Sequence, residues 1–208
     1  MAQLLLIRHG QASYGEVDYD RLSEKGREQA CALGRHLAGA KLDALFAGPL
    51  RRQQETAALA VEHGKLPAPT TVDELAEYPA FEIVKQFPGE PFHDVMNKWS
   101  RGELAIAGVE HVREFAARVR AGLDRVVRAC GSGGRIGVVT SAGPIGVALG
   151  LVFGASEHHM VRASAVVRNA SITELKLRTR DFAWHPEKVA LLSFNSVAHL
   201  PAELHTEY

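Results

Sequence analysis

The chain of 208 residues has no surplus of charge, because 24 basic and 24 acidic side chains cancel. Proteins whose main partner is nucleic acid or an anionic membrane surface carry a basic excess, so neither partner is expected. Any affinity for anions must come from arginines placed locally. Cysteine is also scarce. Cys31 and Cys130 are the only two and lie far apart, which excludes a disulfide scaffold and suits a reducing cytoplasm. The histidines show neither the His-Glu-x-x-His spacing nor a Cys/His cluster, so no metal site and no cofactor is expected. No secretory leader is read before the first apolar run, which is short and leads directly into Arg8. The uncharged stretch 137–154 is long enough to raise the question of a membrane span. Its five glycines, with Pro144, Thr140 and Ser141, read better as a strand followed by a buried helix. There is no internal repeat and no low-complexity tract.

What is present suits one globular α/β domain. Hydrophobic residues make up 46% of the chain and charged residues 23%, enough apolar material for a sizeable core. Strand and helix patterns alternate, which implies a largely parallel sheet. Strands are expected near 3–8, 43–47, 136–140, 171–178 and 188–194. Ser23 is placed to cap a helix carrying Ala30, Leu33 and Leu37 on one face and ending at Gly39, and a second helix is expected over 50–63. The clearest periodicity runs from Val112 through Phe115, Ala116, Val119, Leu123, Val126 and Val127 to Cys130, an amphipathic helix broken by the glycine-rich 131–134. Residues 77–108 are the least regular, with prolines and glycines among aromatics. A long insertion of this kind is a lid or binding loop, and Phe81, Phe87, Phe92 and Trp99 would give it either an apolar wall or a small core of its own.

The most informative segment is Leu4-Leu5-Leu6-Ile7-Arg8-His9-Gly10. Four aliphatics make a buried strand that delivers Arg8 and His9 to its C-terminal end, where open α/β sheets hold their ligands. A neutral imidazole is a nucleophile, and a guanidinium beside it is a planar clamp for anions. Attack on a phosphoryl group is the chemistry this pair suits.

Further segments follow in order: Gln11-Ala12-Ser13, then 22–30 reading Leu-Ser-Glu-Lys-Gly-Arg-Glu-Gln-Ala, then 48–57 reading Gly-Pro-Leu-Arg-Arg-Gln-Gln-Glu-Thr-Ala, then Leu75-Ala76-Glu77. Together they resemble the histidine phosphatase superfamily, the phosphoglycerate-mutase-like group, over Met1 to about Leu200. The resemblance implies a single three-layer domain over 1–208, with helices on both sides of a mostly parallel sheet and 77–108 as a lid-like insertion. It implies a cytoplasmic phosphatase whose partner is a small phosphorylated molecule. His9 is then the nucleophile that forms a phosphohistidine, Arg8 and Arg52 clamp the phosphate, and Gln11 and Ser13 either line its pocket or form the turn after the strand. Glu77 is the acid for the leaving alcohol and the base for the water that follows. A phosphoglycerate mutase is the less favoured activity, since mutases carry more chain over the site.

The sequence also departs from the family pattern. Gly48 stands where serine is usual, Gln53 where alanine is usual and Glu55 where glutamine is usual. Most consequentially, the second catalytic histidine, expected after Val138-Val139-Thr140, is Ser141, followed by Ala142. A charge-assisted hydrogen bond contributes ~1.5–3 kcal/mol against ~0.5–1.5 for a neutral one, so on this ground the exchange costs roughly ten- to a hundredfold in rate. The alternative role for Ser141 is to cap the helix that begins near Pro144. His93 or the His158-His159 pair are candidates to replace the missing ring, and a member that binds a phosphorylated ligand without turnover is the rival reading.

Overall fold

A computed structural model describes residues 1–16, 18–129, 133–178 and 186–206. A six-stranded sheet runs through the molecule in the order β3-β2-β4-β1-β5-β6. Its strands are β1 (Ala2–Arg8), β2 (Ala44–Ala47), β3 (Pro69–Thr71), β4 (Arg135–Thr140), β5 (Ile172–Leu177) and β6 (Val189–Ser196). The pairings β1–β4, β2–β4 and β2–β3 are parallel, while β1–β5 and β5–β6 are antiparallel. The sheet is therefore mixed, with its parallel strands together and an antiparallel edge. β3 escapes a pattern-based reading because it is three residues long, opens on Pro69 and lies at the sheet edge, where proline is tolerated.

β1 shows why the apolar run is continuous. Leu4 and Leu6 enter the core shared with Val119, Leu123, Ile145 and Ala148. Leu5 and Ile7 enter the core on the opposite face, with Leu33, Leu37, Ala57 and Ala60. A strand covered on both faces has no polar alternation to show. The helices that cover it are α1 (Glu24–Leu37) and α2 (Arg51–Gly64) on one side, and α5 (Val112–Arg128) and α6 (Ala142–Phe153) on the other.

Local signals set the helix ends. The Ser23 side chain accepts the Gly26 amide at 3.0 Å, so α1 begins where the cap was expected, and it ends at Leu37, just before Gly39. Lys65, at φ 52°, takes the left-handed conformation that closes α2. α5 buries Val112, Phe115, Val119, Leu123, Val126 and Val127, the expected face; Cys130 and positions 131 and 132 lie outside the described residues. The uncharged stretch 137–154 is β4 followed by the buried α6, and no described helix is long and apolar enough to cross a membrane.

The segment 77–108 is more regular than its sequence suggests. It holds α3 (Ala80–Lys85) and α4 (Phe92–Ser100), and a further short helix, α7 (Glu157–Ser164), packs against α6. Helices of six and nine residues are too short for a clear period amid so many prolines and glycines. Their aromatics divide between the two expected roles. Trp99 is buried and Phe87 packs on the core, while Phe81 and Phe92 stay exposed.

After β6 the chain docks on α1. Val197, Leu200 and Leu204 pack against Ala32 and Ala170, and Gln29 donates to the Leu204 carbonyl at 2.6 Å. His199 lies here, stacked on His36 at 5.1 Å. Burial, and secondarily the neighbouring His36, lower its pKa from 6.5 to about 4. Above pH 6.5 the ring is neutral whether the chain is folded or not, and its contribution to stability is complete. Between 6.5 and about 4 only the unfolded chain takes the proton, so stability is lost as pH falls. Denaturant unfolding at pH 7.5 and pH 5 is therefore expected to show a smaller acid loss in His199→Asn than in the wild type. After discounting for partial exposure the difference is about 1 kcal/mol. Equal losses in the two proteins would contradict this account.

Candidate active site

The parallel register places Arg8 opposite Thr140, so His9 and Ser141 leave the sheet side by side. The backbone of His9 is held from both flanks. Its amide donates to the Thr140 carbonyl at 2.8 Å, and its carbonyl accepts the Ala170 amide at 3.1 Å. The ring is 4% exposed. Its Nδ1 lies 2.7 Å from the Gly10 carbonyl, which only accepts, and its Nε2 lies 3.0 Å from Arg52 Nε, which only donates. These two neighbours assign the proton to Nδ1 and the lone pair to Nε2. Burial first, then the charges of Arg52 and Arg8, hold the His9 pKa well below 6.5, so the ring is neutral at pH 7. Arg8 and Arg52 are both legible in sequence segments, whereas the larger effect, burial, belongs to the tertiary fold.

Arg52 comes from the first turn of α2. Besides reaching His9, it pairs with Asp20 through Nη1 and lies over the Tyr19 ring, 5.5 Å from its centroid. Thr56 accepts the Gly10 amide at 3.0 Å and donates to the Arg52 carbonyl at 2.7 Å, which joins the strand end to α2. The guanidinium of Arg8 reaches the Val167 carbonyl, and burial lowers its pKa. Glu77 is close enough to Arg8 and Arg52 to feel both charges.

The carboxyl group of Glu77 accepts the Gly143 amide at 3.0 Å and the Tyr78 amide at 3.1 Å. Gly143 belongs to the first turn of α6, where free amides favour a carboxylate. Burial nonetheless prevails and raises the Glu77 pKa. A side chain at position 143 would place its Cβ 2.0 Å from Glu77 Oε1, so glycine is what lets the carboxyl group seat there.

A cavity of about 500 Å³ opens above His9. Arg8, His9 and Asn169 give it polar groups, and Tyr14, Tyr19, Phe81 and Phe92 give it aromatic walls. Tyr19 meets Phe81 edge-on at 5.2 Å and Tyr14 at 6.1 Å. Gln11 and Ser13 lie elsewhere, on a neighbouring cleft of about 660 Å³ whose lining does not include His9. Two ion pairs cross that cleft, Arg51 to Glu55 and Arg21 to Glu16, and Gln11 Oε1 accepts the Ser23 hydroxyl at 2.9 Å. The cavity over His9 is therefore the chemically suited one, although it is the smaller.

Ser141 is fully buried beside His9. It is the N-cap residue of α6, yet its side chain makes no capping bond, so the capping role does not hold; Oγ instead accepts from Gln53 Nε2 at 2.8 Å. None of the proposed substitute histidines lines the cavity. His93 is exposed beside Asp94, His158 bonds Ser100 and His159 bonds Ser156. Among the described residues no group of three or more His, Cys, Asp or Glu is placed to hold a metal. Sequence reasoning missed Tyr14, Tyr19 and Asp20, which come from an irregular loop with no pattern to read. It also assigned no role to Asn169, which is buried and lines the cavity.

Comparison with known proteins fits this geometry. A phosphoserine phosphatase of Entamoeba histolytica, bound to phosphoserine, superposes with a TM-score of 0.72 at 18% identity, over 97% of this chain and 100% of that one. A mycobacterial glucosyl-3-phosphoglycerate phosphatase gives 0.71 at 22% identity, over 93% and 98%. The Bacillus stearothermophilus protein YhfR gives 0.77 at 19%, over 96% and 99%. An uncharacterized protein of Mycobacterium tuberculosis is 29% identical over 151 residues, 69% of this chain and 74% of that protein. The sequence profile of one family matches residues 4–188, and the chain is accordingly a member of the histidine phosphatase superfamily, branch 1.

Proposed function

We propose that the protein is a phosphatase of small phosphomonoesters that works through a phosphohistidine at His9. The observation that carries this reading is the neutral Nε2 of His9 at the floor of a cavity, with Arg8 and Arg52 beside it. Phosphoryl transfer is mostly a matter of position and charge, and the two guanidinium groups supply both before the substrate arrives. The phosphate enters between Nε2 and Arg52 and takes over the guanidinium now shared with Asp20. His9 Nε2 attacks phosphorus, the bond from phosphorus to the alcohol oxygen breaks, and Glu77 gives that oxygen its proton. Glu77, now a carboxylate, takes a proton from water. The water oxygen then displaces Nε2, which leaves inorganic phosphate and the original neutral ring. Gln11 and Ser13, one cleft away, support the loop rather than the phosphate.

The aromatic walls favour a substrate whose alcohol portion is apolar. The segment 77–108, which supplies Phe81 and Phe92, serves as the lid-like part of the site. Solved relatives bound to phosphoserine and 3-phosphoglycerate fit the broader class of small phosphorylated ligands. Ser141 favours a second reading, in which the protein binds such a ligand without turnover.

Hydrolysis of an aryl phosphate separates the two. Wild-type turnover that falls by a factor of about 10³ or more in His9→Ala is expected, as for loss of a nucleophile. An inactive, folded wild type would favour the binder. The pH profile tests the acid. His9 must be neutral, so kcat/KM rises with pH through its depressed pKa; Glu77 must be protonated for the first step, so kcat/KM falls as pH passes its raised pKa. Glu77→Gln is expected to lose about 10²-fold in kcat and the alkaline limb with it. An unchanged alkaline limb would remove Glu77 from the mechanism.

A further inference from the structure

Gly48 and Gln53 share one segment and Ser141 lies far from it in sequence, each departs from the family pattern, and they converge on one buried point. Gln53 is the third residue of α2 and is fully buried. Its Oε1 accepts the Leu50 amide at 3.0 Å, and its Nε2 donates to the Leu75 carbonyl at 3.2 Å and to Ser141 Oγ at 2.8 Å. This orientation is dictated by the partners. The Leu50 amide only donates and the Leu75 carbonyl only accepts, so the carboxamide nitrogen must face Leu75, and its second hydrogen goes to Ser141. Ser141 Oγ is thereby an acceptor, and its own proton has no acceptor among the described residues. Buried donors are generally paired, as the nearby Thr56 and Thr140 hydroxyls are, so an open one beside a nucleophile is available to a ligand.

Gly48 completes the arrangement. A Cβ there would come within 2.2 Å of Gln53 Oε1 and 2.8 Å of the Leu75 carbonyl. Gln53 can lie across this point only because position 48 has no side chain. The Leu75 carbonyl also accepts the Thr140 hydroxyl at 2.8 Å, and Leu75 precedes Glu77 by two residues. One carboxamide therefore braces the end of β4, the start of α2 and the segment that carries Glu77.

We propose that Gly48, Gln53 and Ser141 act as one unit, in which Gln53 is a positioning residue that presents the Ser141 proton to an oxygen of the phosphoryl group transferred to His9. This inference rests on the phosphatase reading above. It also changes what a reversion at 141 requires. The Gln53 carboxamide lies 2.8 Å from Ser141 Oγ, so a larger side chain at 141 has to displace it.

The test is steady-state hydrolysis of an aryl phosphate by wild type, Ser141→Ala, Gln53→Ala and the double variant, with melting temperatures for all four. Each single variant is expected to lower kcat about tenfold with KM within about twofold, the scale of one neutral hydrogen bond in the transition state. The double variant should lose no more than the worse single, and Ser141→Thr, which restores a hydroxyl, should keep most of the activity. Unchanged kcat in Ser141→Ala, or single losses that multiply in the double variant, would overturn the proposal. Ser141→His alone should melt lower than the wild type, and Gln53→Ala added to it should recover the melting temperature; failure to recover also counts against the unit. If the wild type does not turn over, the phosphatase reading and the donor role fall together. The coupling of the residues is then judged separately on melting temperatures, and additive changes there would overturn it as well.

Discussion

Burial of His9 as a neutral ring is the constraint from which the rest of the site follows. An imidazole in the interior is acceptable only if it is neutral and both nitrogens are satisfied. The Gly10 carbonyl and the Arg52 N–H meet that requirement in the one arrangement that leaves the lone pair on Nε2. Arg52 must then approach closely, and it does so because Thr56 ties α2 to the Gly10 amide. Two further contacts leave no room for a side chain. A Cβ on Gly10 would meet the Gly26 carbonyl at 2.4 Å, and one on Gly26 would meet the Gln11 carbonyl at 2.0 Å. The start of α1 and the strand end are thus pressed backbone to backbone, and the turn after His9 is fixed from beneath.

The two candidate proton-handling groups show one principle with opposite results. Burial penalises whichever form carries charge, so it lowers the pKa of the His9 imidazole and raises that of the Glu77 carboxyl. Nearby cations lower both. For His9 the cations act in the same direction as burial; for Glu77 they oppose it, as do the amides of Gly143 and Tyr78. Burial remains the larger influence on Glu77, which suits a group that must first give a proton and then take one.

The strand leading to Arg8 and His9, the cap at Ser23 and the buried face of α5 were all legible in sequence, because each is a local pattern repeated over adjacent turns or residues. The division of the aromatics in 77–108 was not. Phe81 and Phe92 face the cavity while Phe87 and Trp99 turn to the core, and nothing in their own identity distinguishes them. Asp20 and Tyr19 reach Arg52 from a loop without periodicity. Gln53 was visible only as a departure from a pattern. Its partners are brought together by the sheet and not by spacing along the chain.

The same electrostatics revise the cost first assigned to Ser141. That figure of ten- to a hundredfold compared a charged donor with a neutral one. A histidine at 141 would sit beside His9, fully buried and in the field of the same two arginines. Before a phosphoryl group arrives, that field and the lack of water would hold it neutral too. The exchange then replaces one neutral donor with another. What remains to be made up is reach and aim, since a hydroxyl ends closer to the backbone than an imidazole and rotates more freely. Gln53 addresses the second of these by fixing the side of Oγ that accepts, which leaves the proton the remaining directions. The shorter reach is met only if the phosphoryl group lies deeper, toward the end of β4, where the Thr140 carbonyl accepts the His9 amide at 2.8 Å.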